Sequence, residues 1–220
     1  LFFTGYLPKI QEDRYHWIYT IFAGGDDLFF IGEWQEAIKF AKELYQQFRD
    51  YTGWNRDITL SSAVYVMQPR HPIRTAAEIA EEMLERAKGN DRDSMAIFDI
   101  VVKQDKIDEL MEMADFLDSK RRKPDTESKI NSAFLHRLVR YRQMAMNYLE
   151  ENNIEGLMYM SRLAYDIGRN IVKWDEQGKI KKGKDENMML KDLTDVTKIR
   201  KMEKMELPIF WSIFKNRKIQ

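Results

Sequence analysis

Trp17-Ile18-Tyr19-Thr20-Ile21-Phe22-Ala23-Gly24-Gly25-Asp26-Asp27-Leu28-Phe29-Phe30-Ile31-Gly32 is the stretch on which the reading of the first half turns. Its two arms are rich in aromatic and β-branched residues, the composition of half-buried strands. The four residues between them form turns for different reasons. Glycine adopts positive φ without steric penalty, and aspartate can bond its own backbone. The pattern predicts an antiparallel hairpin, residues 17–22 against 28–31, with Gly24-Gly25-Asp26-Asp27 at the tip and Gly32 closing it. Outward from the hairpin, apolar residues at Ala37, Ile38, Ala41, Leu44, Tyr45 and Phe48 keep helical spacing and predict a helix from Glu33 or Trp34 to about Tyr51. A third strand is expected over residues 58–67. Thr75 reads as an N-cap with Glu78 completing a capping box, opening a helix that runs to about Lys88 and stops at Gly89-Asn90. Residues 95–102 read as a fourth strand.

After Lys103 the pattern becomes helical, over 105–118, 127–151 and 154–174, with apolar positions at Ile130, Phe134, Leu138, Tyr141, Ala145 and Tyr148 in the middle segment. Residues 119–125 are a basic, proline-containing connector, and 178–186 a charged loop. The closing stretch 207–219 places Pro208 among Phe210, Trp211, Ile213 and Phe214 and is expected to dock on the helices. The chain is therefore expected to be α+β over 1–103 and all-α over 104–220.

Composition narrows the function classes. The 220 residues are 44% hydrophobic and 33% charged, as in a folded rather than a disordered chain. The absence of cysteine excludes disulfides and thiolate-bound zinc within this chain and fits a reducing, cytoplasmic setting. No apolar run approaches the ~20 residues of a membrane span, so no membrane partner is expected. The net charge of zero hides a gradient: 12 basic against 16 acidic residues over 1–103, and 24 against 20 over 104–220. The chain opens with Leu1-Phe2-Phe3 rather than methionine and reads as part of a longer protein.

The tip of the hairpin carries the chemistry. Mg²⁺ takes octahedral oxygen ligands and usually binds one or two carboxylates plus substrate phosphates, which two adjacent aspartates at an exposed turn can supply. Such ions align an attacking hydroxyl with a leaving pyrophosphate and neutralise the charge that develops. Without side chains, Gly24 and Gly25 let a nucleotide approach the backbone. An ordinary β-turn uses the same residues, but the flanking order of strand, helix, strand, helix and strand favours the functional reading. Lys88 at a helix C-terminus is explained by the helix dipole alone, or, in company with the acidic turn, by contact with a triphosphate.

These residues carry a resemblance. Residues 19–27, the following helix, Ile58-Thr59-Leu60-Ser61-Ser62-Ala63-Val64 and the Ala87-Lys88 ending resemble a GGDEF-type cyclase palm, a ferredoxin-like fold. The Gly-Gly-Asp-Asp variant, preceded by Phe22-Ala23 and followed by Leu28-Phe29, is similar to one branch, the large polymerase-like subunit of type III-A (Csm) CRISPR interference complexes. Ser132-Ala133-Phe134-Leu135 and residues 157–165 resemble that family's C-terminal helical domain. The resemblance implies a second palm domain followed by an all-α helical bundle, from the C-terminal part of such a subunit. It implies synthesis of cyclic oligoadenylates from ATP once target RNA is bound, in antiviral defence. By position, Asp26 and Asp27 would hold Mg²⁺ or Mn²⁺ and act catalytically, Gly24 and Gly25 would line the nucleotide, and Lys88 would reach its triphosphate. Implied partners are the other subunits of the complex, with guide RNA and target RNA met through it.

The family palm usually begins with a strand that helps complete the metal site, and that strand is expected to lie outside this chain, leaving the chain alone inactive. The family's nuclease His-Asp pair is absent: His16, His71 and His136 precede Trp17, Pro72 and Arg137. The thirteen methionines, Met111, Met144 and Met158 among them, read as core. Lys120-Arg121-Arg122-Lys123 and a face carrying Arg137, Arg140 and Arg142 are candidates for RNA phosphates or for solvated surface. Two other function classes remain open at this point: a catalytically silent nucleotide-binding scaffold, and a diguanylate cyclase.

Overall fold

A computed structural model describes residues 2–90, 92–98, 100–119, 130–170 and 192–215. The chain divides into two compact units, Leu1–Ile107 and Asp108–Gln220.

In the first unit the hairpin forms as strands β1 (Ile18–Gly24) and β2 (Asp27–Gly32), paired antiparallel. A π-helical turn, Phe2–Tyr6, and helix α1 (Leu7–Arg14) precede it. Gln11 fastens α1 to the hairpin, donating to the Ile18 carbonyl and accepting from Thr20 Oγ1 at 2.8 Å. Helix α2 (Trp34–Tyr51) starts where Glu33 caps it, its carboxylate accepting from the Gln35 and Glu36 amides at 3.0 Å. One face of α2 buries Ile38, Phe40, Ala41 and Leu44. Phe40 is the pivot, edge-on to Phe30 of the hairpin at 4.9 Å and to Tyr15 at 5.1 Å. Tyr15 in turn donates to Glu43 at 2.8 Å. Past α2, the buried Arg49 guanidinium gathers the next loop, donating to the carbonyls of Asn55 and Ile58 at 2.7 Å and of Trp54 at 3.2 Å.

The rest of the unit is a second, three-stranded sheet of order β3-β4-β5. Strand β3 (Ser62–Val64) runs parallel to β4 (Ser94–Ile97), and β5 (Ile100–Lys103) returns antiparallel to β4. Helix α3 (Ile73–Gly89) connects β3 to β4, a crossover of the kind that parallel strands require. It covers the sheet with Met83 and Ala87 against Ala96 and Val101.

Several expectations are corrected here. The third strand is three residues long rather than ten, Ser62–Val64; at the start of the expected stretch the Ile58 carbonyl accepts from Arg49 instead. Residues 95–102 are not one strand: the chain reverses at Phe98, which has φ +55°, and makes β4 and β5. Helix α3 begins two residues before Thr75. Its N-cap is Pro72, with no side-chain cap, so the capping box does not form. The strands make two sheets among the described residues, not the single sheet of a ferredoxin-like palm, since no backbone ladder joins β2 to β3. The α+β class itself stands.

The described part of the second unit carries helices and no strand: α4 (Ile107–Ser119), α5 (Ser132–Glu151), α6 (Met158–Asn170), α7 (Arg200–Glu203) and α8 (Glu206–Lys215). Asn131 caps α5 by accepting from the Phe134 amide at 2.8 Å, and Asn152 ends it in the left-handed region at φ +54°. The core joins Leu117, Phe134, Leu138, Tyr159, Leu163 and Ile209. Pro208 sits in the first turn of α8, where a missing amide hydrogen costs no helix bond. Met144 packs against this core as expected, but Met158 is 50% exposed at the start of α6, outside the apolar stripe. The basic connector 120–125 and the charged loop 178–186 lie outside the described residues.

Candidate functional site

The hairpin tip is a two-residue loop, Gly25-Asp26, between the paired residues Gly24 and Asp27. Gly25 has φ +64°, the conformation that a tight hairpin loop demands at its first position and that only glycine takes without strain. The loop holds Asp26 and Asp27 side by side, both exposed. Exposure suits ligand binding, because neither carboxylate has to be stripped of water in the free protein.

Lys88 comes from the other sheet's helix. It lies in the last turn of α3, with Ala87 fully buried beneath it. Its ammonium pairs with Glu85 at 2.7 Å, one turn back, and its side chain is 39% exposed. Its pKa is raised, first by the hydrogen bond to Glu85 and further by the charge of Glu85 and of Asp27. The charge of Asp27 is thus felt at the C-terminal end of α3, while the ion pair that Lys88 makes is with Glu85. Glu85, which sequence reading passed over, sits one helical turn before Lys88 and holds it.

Two exposed carboxylates fit Mg²⁺ in chemical type. They are hard oxygen donors, and the ion commonly completes its shell with phosphates and water. Among the described residues no group of three or more acidic or histidine side chains is placed to hold a metal ion.

Alternation along the strands is broken once. Thr20 pairs with Phe30, but Phe22 pairs with Phe29, so Ile21 is an extra residue on β1. Residues directly opposite each other share a face of the hairpin. Phe30 packs on α2, and Phe29 and Asp27 therefore belong to the opposite face. The bulge moves Phe22 onto that face, where it is 53% exposed. No sequence signal marks it: uninterrupted alternation would set Phe22 with Ile18 and Thr20 against the helix.

Other candidates are used elsewhere. Arg137 donates to Asp166 at 2.5 Å, Tyr141 donates to the same oxygen at 2.7 Å, and Arg142 pairs with Glu206. These two arginines join helices of the second unit, and Arg140 of the same stretch is exposed. His16 and His136 are exposed, and His71 lies edge-on to Tyr65 at 6.0 Å. No described helix is long and apolar enough to cross a membrane.

With an antiparallel hairpin tipped by carboxylates and backed by a helix, residues 1–96 form a palm-type domain and match the family model for the second palm domain of Cas10/Cmr2. The chain belongs to the Cas10/Csm1 family of type III-A CRISPR systems. It is 31% identical over 194 residues to a Streptococcus thermophilus protein named CRISPR system single-strand-specific deoxyribonuclease Cas10/Csm1, an alignment covering 84% of this chain and 23% of that protein. A Methanocaldococcus jannaschii protein of the same name is 33% identical over 99 residues, covering 40% of this chain and 12% of its own length. One from Mycobacterium tuberculosis is 30% identical over 80 residues, covering 36% and 10%. The chain thus spans under a quarter of the first relative.

Proposed function

We propose that this chain supplies the metal- and triphosphate-binding half-site with which a type III-A CRISPR large subunit makes cyclic oligoadenylates from ATP. The observation that carries the reading is the two-residue hairpin loop that presents Asp26 and Asp27 side by side and exposed within a segment matching a palm family; the charge of Asp27 is also felt at Lys88. Carboxylates alone attract a metal ion, and a lysine alone attracts an anion. Together they match a metal–triphosphate complex, which presents both charges within a few ångströms.

In this reading Asp26 and Asp27 hold Mg²⁺, which when bound polarises the reacting phosphate and offsets the charge of the pyrophosphate leaving group. Lys88 neutralises the outer phosphates, and its pairing with Glu85 keeps the ammonium protonated and aimed. A ribose hydroxyl of one ATP forms a bond to the α-phosphorus of the next while the bond to pyrophosphate breaks; the hydroxyl proton passes to solvent. Guide and target RNA and the other complex subunits act on this site from outside the chain. The deoxyribonuclease activity in the relatives' names falls outside this half-site: none of the three histidines precedes an aspartate, and the chain covers 23% of the Streptococcus thermophilus protein.

The test uses the full-length subunit assembled with its partners. With target RNA, Mg²⁺ and ATP, mass spectrometry should detect cyclic adenylates from the wild type. In Asp26→Ala/Asp27→Ala the products should fall at least 100-fold, and in Lys88→Ala about tenfold. Undiminished synthesis in the double variant would remove the metal assignment. An RNA-binding but unproductive wild-type complex would mark a scaffold, and cyclic dinucleotides from GTP a diguanylate cyclase.

A further inference from the structure

We infer that Phe22 is the stacking platform for the nucleotide base, and so a positioning residue of the same site; the inference rests on the metal–triphosphate reading of the hairpin tip. Three observations converge on it. The bulge at Ile21 turns Phe22 from the helix-packed face of the hairpin to the face shared by Gly24 and Asp27. Bulges beside functional sites commonly re-aim one side chain in this way. The ring then lies over the turn itself: a Cβ built on Gly24 would stand 2.9 Å from Phe22 Cζ. Finally, the ring stays 53% exposed although it is a large apolar group at the edge of a charged loop.

The arrangement has a chemical sense. A triphosphate engaged by Asp26, Asp27 and Lys88 leaves its nucleoside to extend along a neighbouring surface. Phe22 offers an apolar π-face two positions before Gly24, and Gly24 contributes no side chain to separate the ring from the ligand. An aromatic ring binds any base by stacking and carries little information about which base it is. Phe22 therefore orients the nucleoside without choosing it, and the ligand class is a nucleoside triphosphate rather than a free polyphosphate.

Calorimetry on the full-length protein in Mg²⁺ separates this inference from the reading beneath it, with ATP and inorganic tripolyphosphate as the two probes. Because a stacked base contributes to affinity and a polyphosphate has no base to stack, Phe22→Ala should weaken ATP about tenfold and leave tripolyphosphate unchanged. Phe22→Trp and Phe22→Tyr should retain ATP binding. Phe22→Leu, which keeps an apolar group over Gly24 but no ring, should behave like the alanine variant. Equal weakening of both probes in Phe22→Ala would make Phe22 a structural support of the turn, and no weakening of either would overturn the inference. Wild-type protein that binds neither probe would overturn the metal–triphosphate reading, and the inference with it. Tripolyphosphate binding lost only in Asp26→Ala/Asp27→Ala, with ATP insensitive to Phe22, would preserve that reading and reject the platform.

Discussion

At the scale of single residues, burial and charge act on the same side chains with different consequences. Tyr159 is fully buried, and its hydroxyl has no hydrogen-bond partner among the described residues. Burial, reinforced by the charge of Asp195, pushes that hydroxyl up to about 12. A buried polar atom without a partner costs stability, so Tyr159→Phe should leave stability at neutral pH unchanged or raise it by about 1 kcal/mol. The pH dependence fixes the sign. An unfolded tyrosine ionises near 10, and the folded one resists to about 12. Its share of stability is thus complete below pH ~10 and lost as pH climbs toward 12. Denaturant titrations of wild type and Tyr159→Phe at pH 8 and pH 11 should show the smaller alkaline loss in the variant. A larger loss in the variant would contradict the assignment.

At the scale of elements, what sequence pattern shows is periodicity, and what it hides is interruption. The apolar spacing of α2 and α5 was readable because a 3.6-residue repeat survives over four or five turns. Caps and bulges were less readable, since each depends on one or two residues. Thr75 had the composition of a cap, yet α3 starts at Ile73 behind Pro72, whose fixed φ suits the approach to a helix. Close approach is equally silent in sequence. Gly156, in the short helical turn before α6, faces α5 so closely that an added Cβ would overlap the Met144 carbonyl oxygen and meet Tyr148 Cβ at 3.0 Å. Backbone cannot step aside as a side chain can. Gly156→Ala should therefore destabilise the helical unit by about 1–3 kcal/mol, seen as a lower urea midpoint with an unchanged slope. An unaltered midpoint would mean that α5 and the turn are not held at this distance.

At the scale of the whole molecule, each unit has its own apolar centre: Phe40 with Tyr15 and Phe30 in the first, and the cluster around Phe134 and Tyr159 in the second. The second is also cross-linked by charge, through Arg137 with Asp166 and Lys215 with Asp118 at 2.9 Å. A unit with a closed core unfolds cooperatively. Residues 108–220 made alone should give a helical circular-dichroism spectrum and a single sigmoidal thermal transition; a featureless melt would show that this core needs residues from elsewhere. Pairs such as Arg137–Asp166 show that basic residues clustered in sequence can serve to join helices. Arg137 joins α5 to α6 through Asp166, so its charge serves the fold, whereas Lys88 pairs with Glu85 of its own helix.

Sequence by itself determined the hairpin, its acidic tip, the helix behind it and the change to helices in the second half. All of these are local: a turn needs its own four residues, and an amphipathic helix needs its own repeat. It also carried the resemblance to a type III-A large subunit, because Gly24-Gly25-Asp26-Asp27 is contiguous. Tertiary structure alone decided which groups meet. Asp27 and Lys88 lie sixty-one positions apart in sequence, yet the fold brings Lys88 within range of the charge of Asp27, with the buried Met83 and Ala87 anchoring α3 on its sheet. Phe22 joins them because one extra residue on β1 turns it over, and no alternation pattern announces a bulge before the partner strand is in register.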